Sequence, residues 1–244
     1  MSDTAADFFT VPELYLLASA FEGNVLFGLP DKSIYQLRGE FIFEEAKERL
    51  MDKGILGVDG DLTKAGASVI QALETYHHSQ KYVRINNLMF AFFESDHNRI
   101  VALVEIQKQR AYQLRVLPKV KVFDALCQAF PFILREPKEE EKTFLVEALT
   151  YHEKQVAKAF KPQQVMNLES FRDRNDSNAY GQWLFFMADR LISVDIVHKK
   201  YYRASQYAFL KLLFDEMSFP YGERGAMPNG EGDDHGQRRP GFND

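Results

Sequence analysis

The residues most able to carry out chemistry are a few histidines and carboxylates and one cysteine. His77 and His78 are adjacent, so on a helix their side chains point to different sides and make poor joint ligands. His152 precedes Glu153, but the chain has no His-Glu-x-x-His spacing and no cysteine pair, so the signal for a zinc site is weak. We interpret His152 as a core or surface histidine.

The remaining candidates also have structural interpretations. Asp173 and Asp176 could form a hydrolase pair, which leaves no local signature, but solvated loop residues are more common. Cys127 has apolar neighbours at helical spacing, which indicates a core thiol. Residues 139–141 are three glutamates that would fill the first turn of a helix. With no phosphate loop, dinucleotide glycine pattern or nucleophile elbow, we predict no enzyme, cofactor or metal.

Bulk composition restricts the class of partner. The 244 residues carry a formal net charge of -5 and no basic block, which argues against general nucleic-acid binding. A single cysteine suits a reducing cytoplasm, and the polar residues 1–7 do not resemble a signal peptide. No apolar run approaches the ~20 residues of a membrane helix, so we predict no membrane insertion.

The segment around which the chain is organised is 82–130. An apolar run at 88–93, a polar turn at 95–99 and a run at 100–106 predict hairpin strands. Alternation over 111–117 predicts a third strand with one wet face, and 82–85 an additional one. A helix pattern over 120–130 follows.

A similar order recurs later in the chain. Residues 165–171, 183–187 and 191–197 suggest extended segments, and 202–217 suggest an amphipathic helix. We therefore predict an α+β fold with a mostly antiparallel central sheet, built from two quasi-repeated strand-strand-strand-helix units and flanked by helices. Residues 138–160 between the units predict a long helix or a helical pair.

The N-terminal part has helix signals of its own. Thr10 and Glu13 are spaced as a capping box, and Thr63 is placed to cap a later helix. Two helices, a small hairpin around Asp59-Gly60 and another helix give a winged-helix-like pattern. A regulator that binds DNA is a less favoured hypothesis, because Lys47 and Arg49 lie among glutamates.

We predict a single domain over residues 8–219. It comprises a helical part (8–77), a first sheet-helix half (82–130), linking helices (138–161) and a second half (163–217). Residues 220–244 are rich in glycine and charge, which predicts a disordered tail.

Several short motifs resemble a known family. They are the opening helix Thr10-Val11-Pro12-Glu13-Leu14-Tyr15-Leu16-Leu17-Ala18, then Leu29-Pro30, then Leu50-Met51-Asp52-Lys53-Gly54-Ile55-Leu56, and Asp59-Gly60-Asp61-Leu62. They are similar to the EspG-like and EsaE-like chaperones of type VII secretion systems, the latter from Firmicutes. The two strand-and-helix units fit that family's quasi-two-fold sheet.

The resemblance implies a cytoplasmic chaperone or adaptor that binds a helical secretion substrate, a WXG100-like protein or an LXG toxin, before export. It also implies delivery to a secretion ATPase complex. Family contacts with the substrate correspond here to the loop residues Asp96, His97, Asn98 and Arg99, and to the C-terminal residues Tyr201, Tyr202, Tyr207 and Phe214. A toxin-immunity protein, which would neutralise a mature toxin, is the alternative.

Overall fold

The centre of the fold is an antiparallel pair formed by β2 (Tyr82–Ile85) and β7 (Met166–Phe171). A computed structural model of the chain describes residues 8–141, 143–173, 176 and 179–219. Ten described strands form one antiparallel sheet. Their order across it is β1 (Phe9–Thr10), β5 (Ala111–Pro118), β4 (Arg99–Gln107), β3 (Leu88–Phe92), β2, β7, β8 (Tyr180–Met187), β9 (Leu191–Asp195), β10 (Lys200–Ala204) and β6 (Val146–Ala148). The predicted tail at 220–244 lies outside the described residues.

Each half of the chain proceeds outward from this pair. The first half adds β3 (Leu88–Phe92), β4 (Arg99–Gln107), β5 (Ala111–Pro118) and helix α5 (Lys119–Ala129). The second adds β8 (Tyr180–Met187), β9 (Leu191–Asp195), β10 (Lys200–Ala204) and helix α7 (Gln206–Met217). The predicted α+β class with an antiparallel sheet is confirmed, whereas a duplication of the halves stays a prediction.

The N-terminal helices begin where their capping residues predict. Helix α1 (Val11–Ala18) follows the two-residue strand β1 (Phe9–Thr10), and the Thr10 backbone N–H donates to the Glu13 carboxylate at 2.5 Å. Short α2 (Lys32–Gln36) and α3 (Phe41–Asp52) precede α4 (Lys64–His78), where the Thr63 hydroxyl accepts from the Gly66 N–H at 3.0 Å. The winged-helix likeness of this region stays a prediction.

Two secondary-structure predictions were wrong. Residues 138–160 do not form a long helix or a helical pair. A 3-10 turn (Glu139–Glu141), the edge strand β6 (Val146–Ala148) and helix α6 (Tyr151–Ala159) lie there instead. Tyr201 and Tyr202 belong to β10, because Ser205 caps α7 by accepting from the Ala208 N–H at 3.1 Å.

The sheet has two unlike faces. One is covered by α5 and α7 along both halves, over a core that includes Phe90, Ile100, Phe185 and Phe209. On the other face α1, α3 and α4 cover the first half, over residues such as Val101 and Tyr112. Of the described helices, only α6 covers the second half on this face, over a cluster whose buried members are Phe186, Ile192 and Val194.

A polar strip separates the two clusters on this second face. Asn167 and Glu169 of β7 and Gln182 of β8 point to the same side as Phe171 and Leu184, as the strand register requires. The Gln182 side-chain amide donates to Asn167 Oδ1 at 3.1 Å, and Asn167 donates to Glu169 at 3.0 Å. The N-terminal helices and α6 therefore pack as separate layers.

Among the described residues, none of the helices is long and apolar enough to cross a membrane.

Candidate protein-binding surface

Helix α7 buries one face and presents apolar side chains on another. Phe209, Leu213 and Met217 are at most 1% exposed and fill the sheet core. Tyr207, Leu210 and Phe214 follow the spacing i, i+3, i+7, which places them in one line along the helix. Tyr207 keeps 38% of its surface exposed. The helix is therefore apolar beyond what the core requires.

Neighbouring elements extend this line into a surface. Phe144 precedes β6, is 68% exposed and lies 5.9 Å from Tyr207 between ring centroids. A hollow of about 360 Å³ between them is also lined by Leu210 and Phe214. We call Phe144, Tyr207, Leu210 and Phe214, together with Val120 and Phe123 of α5, the α7 surface.

A second hollow adjoins the first on the α5 side. Phe123, Phe214 and Phe219 form a three-ring cluster with each pair of centroids 5.3 Å apart. The hollow holds about 330 Å³ and is lined by this cluster, by Val120 and by Asn98 of the predicted loop. The structure thus brings Asn98 and Phe214, predicted from separate segments, to one place.

A third hollow lies on the β10 side and brings in another predicted residue. It holds about 400 Å³, and its lining includes Phe144, Trp183 and Tyr202. The Lys211–Asp215 ion pair, 2.5 Å between Nζ and Oδ2, borders both this hollow and the one beside Tyr207. Apolar side chains with a charged rim are the arrangement found at protein interfaces.

The C-terminal end of α7 is held by one cation of α5 and by another that immediately precedes β2. Lys81 Nζ donates to the Asp215 carbonyl at 3.0 Å, and Lys119 Nζ donates to the Ser218 carbonyl at 2.7 Å. Positive charge there complements the helix dipole. Both ammonium groups also lie over the Phe92 ring, at 5.3 and 5.4 Å, and burial lowers the pKa of both lysines.

A buried carboxylate fixes the same end to β7. Glu216 is 2% exposed and accepts from the Ser170 hydroxyl at 2.6 Å and from Arg172 Nε at 2.7 Å. The hydrogen bond raises the pKa of the Arg172 guanidinium. These contacts set the position of Phe214, one turn before Ser218.

The other predicted residues are placed differently. Asp96 pairs with Arg99 at 2.5 Å, and this hydrogen bond lowers the pKa of the Asp96 carboxyl. His97 is exposed in the same loop. Tyr201 is on the opposite side of β10 from Tyr202, packed with the α6 cluster, and Lys154 lies 5.1 Å from its ring. Tyr201 is therefore not part of the α7 surface.

The chemistry candidates remain scattered. The described residues contain no group of three histidine, cysteine or carboxylate side chains that could hold a metal. Cys127 is half-buried beside the α5 core, and burial raises the pKa of its thiol. Glu141 does not open a helix; it accepts two hydrogen bonds from Arg135, at 2.7 and 2.5 Å.

Neither Phe144, which lies in the segment 138–160 predicted to be helical, nor Val120 was identified from the sequence as a residue of a binding surface. Phe144 precedes a strand and not a helical segment, since Val146–Ala148 form β6 and pair with β10, which is distant in sequence. The available signal was the density of phenylalanine between 123 and 144, which includes Phe123, Phe130, Phe132 and Phe144.

Comparison with known proteins places the chain among its relatives. It is 28% identical over 138 residues to "Type VII secretion system protein EsaE" of Staphylococcus aureus, in strains USA300 and NCTC 8325. The match covers 57% of this chain and spans 58% of the length of those relatives. The family described as "Domain of unknown function (DUF5081)" matches residues 3–225. Because that match covers nearly the whole chain, this protein belongs to the DUF5081 family.

Proposed function

We propose that this protein is a cytoplasmic chaperone or adaptor of a type VII secretion system. It binds a helical secreted protein, WXG100-like or an LXG toxin, before export, and acts by binding and not by catalysis. The α7 surface carries the proposal, and the similarity to EsaE supplies the secretion context.

The shape of the surface favours a helical partner. Side chains at i, i+3 and i+7 of α7 form a ridge, and hollows of about 360 and 330 Å³ adjoin Phe214. A second amphipathic helix can place its own apolar ridge into such hollows. Burial of its apolar face removes from water a surface that would otherwise promote aggregation.

The polar residues around the surface are placed to fix the orientation of a bound helix. Lys211 and Asp215 border the apolar hollows, and Asn98 lies at the edge of the α5 hollow. Rim charges contribute more to the rate and specificity of association than to affinity. The proposal therefore assigns affinity to the aromatic residues and orientation to the rim.

The test is co-expression with WXG100-like and LXG proteins from the genome that encodes this chain, followed by co-purification. We expect a complex with the native protein and its loss in the double variant Phe144→Asp and Tyr207→Asp. The matched control is Tyr151→Asp with Val156→Asp on α6, which are 81% and 57% exposed and lie outside the α7 surface.

Three outcomes contradict the proposal. They are no complex with any of these proteins, equal loss in both double variants, and equal retention in both. A complex that abolishes the activity of a mature toxin in a growth assay indicates the immunity alternative instead.

A further inference from the structure

A basic cleft lies at the turn between β4 and β5, away from the α7 surface. It has a volume of about 790 Å³, and residues of α2 and its C-terminal flank form one wall. Its polar lining consists chiefly of Tyr35, Arg38, Gln107, Lys108, Gln109 and Arg110. None of the residues that line it belongs to the α7 surface.

The cleft concentrates positive charge. Within the described residues, its lining contains no carboxylate. Across the described part of the chain, most arginines have a carboxylate partner, as Arg49, Arg84 and Arg99 do. No ion pair within that part involves Arg38, Lys108 or Arg110. Three exposed cations thus face one cavity on a chain whose net charge is -5.

The turn that carries two of these cations is held in place. Gln109 has a left-handed φ of 57°, and its N–H donates to Glu105 Oε1 at 2.7 Å. Glu105 is itself held by Arg84 at 3.4 Å, so its charge is already engaged. The Arg110 N–H donates to the Gln107 carbonyl at 3.0 Å. A fixed turn reduces the entropy lost when a ligand binds.

The lining suits a peptide better than a nucleotide. Tyr35 is the one aromatic residue among the described residues that line the cleft. The Arg38 guanidinium lies 5.7 Å from the centroid of its ring, so that face is not free for a base to stack on. Gln107 and Gln109 offer amide groups that can donate to and accept from a peptide backbone. Arginine forks match carboxylate geometry.

Size and overall charge exclude other anions as the best fit. A cavity of about 790 Å³ is far larger than a single inorganic anion needs. A long polyanion such as duplex DNA would extend past the cleft onto the rest of a chain that carries net negative charge. A short acidic stretch matches both the extent of the cleft and its charge.

We propose that this cleft binds a carboxylate-rich segment of a protein partner. It is a second binding site, and its existence does not depend on the function proposed for the α7 surface.

The test uses the full chain and a fluorescein-labelled eight-residue peptide containing four glutamates, followed by fluorescence anisotropy at low salt. The peptide with glutamine in place of glutamate is the ligand control. The triple variant Arg38→Gln, Lys108→Gln, Arg110→Gln should bind the acidic peptide about tenfold more weakly, as expected for the loss of three exposed ion pairs.

The matched protein control is Lys64→Gln, Lys121→Gln, Lys158→Gln, which removes the same charge at exposed positions outside the cleft. Retained binding in this control supports the proposal. Equal weakening in both triple variants, binding of the glutamine peptide as tight as that of the acidic one, or displacement of the peptide by ATP or inorganic phosphate at lower concentration would overturn it. Co-purification with secreted proteins is measured separately, so failure of one proposal leaves the other intact.

Discussion

The two halves of the sheet share a strand order but differ in how their second face is covered. In the first half, α1, α3 and α4 enclose a cluster that includes the fully buried Leu14, Leu73, Tyr76 and Val101. In the second half, the single short helix α6 covers a cluster with three buried members. A cavity of about 180 Å³ remains between α6 and the sheet. Within the described residues, one half of the sheet is thus enclosed on both faces, and the other is thinly covered on one face.

The ion pairs that attach the covering helices differ in the same way. Glu13 of α1 is fully buried and pairs with Lys53 at 2.7 Å, whereas Glu153 of α6 and Arg203 of β10 keep 38% and 33% of their side chains exposed. Buried pairs are sensitive to loss of one partner, and exposed pairs are not. We therefore expect the first half to contribute more to global stability than the second.

The largest effect is expected for Glu13→Gln. It leaves the Lys53 ammonium without its carboxylate in a nearly buried site and should lower the free energy of unfolding by about 3 kcal/mol. Urea denaturation measures it. The matched variant Glu153→Gln should change stability far less, and the double variant Glu13→Gln with Lys53→Met should recover most of the loss. Equal losses of stability in the two single variants would contradict the expected difference between the buried and the exposed ion pair.

A pair of valines on the same sheet face gives the next effect. Val101 on β4 is 0% exposed in the first cluster, and Val194 on β9 is 4% exposed in the second. Val101→Ala should lower the free energy of unfolding by about 2–3 kcal/mol, since the enclosed site cannot collapse. Val194→Ala should lower it by about 1 kcal/mol, because α6 can adjust. The two losses are measured from the midpoints of urea denaturation, provided that the dependence of the free energy on urea concentration is the same for both variants.

Amide hydrogen exchange compares the two halves of the sheet in the native protein, without any substitution. Amides bonded within β3 and β4 should exchange through global unfolding, and those of β9 and β10 through local opening beneath α6. We expect exchange about tenfold or more faster in β9 and β10. Equal protection of both strand pairs would show that the thin cover has no dynamic consequence.

The smallest effect concerns the link between the halves. The Arg135 hydrogen bonds lower the pKa of Glu141 below its ordinary 4.5. Because the pKa is depressed in the folded state, the stabilisation is present above about pH 4.5 and is lost as the pH falls through the folded value. Arg135→Gln should therefore be less stable than the native protein at pH 7, with the difference shrinking at pH 3. Arg115→Gln, at an exposed position on β5, should show no such pH dependence.

The sequence predicted the elements of the first half better than those of the second. Local signals placed α1, α3 and α4, because Thr10 and Thr63 are capping residues and the apolar spacing is helical. They failed at β6 and β10, whose pairing joins residues such as Val146 and Ala204. Ser205 was the missed signal: a serine before the apolar periodicity marks the start of α7.

The two candidate sites also differ in whether their residues are close together in the sequence. Tyr207 and Phe214 were named from the family resemblance, which points to the C-terminal helix on which both residues lie. The basic cleft could not be predicted, since Arg38 and Arg110 are far apart in sequence and meet only when α2 packs near the β4–β5 turn. The sequence shows the positive charges of Lys108 and Arg110. It does not show that, within the described residues, neither side chain forms an ion pair with a carboxylate.

The attachment of the last turn of α7 affects how a partner would be met. Because Lys81, Lys119 and Arg172 hold that turn in place, we expect α7 to need no rearrangement when a partner binds. The conformational entropy lost on binding would then come mainly from the partner. Removing these three side-chain contacts should increase the dissociation rate of a complex more than it lowers the association rate.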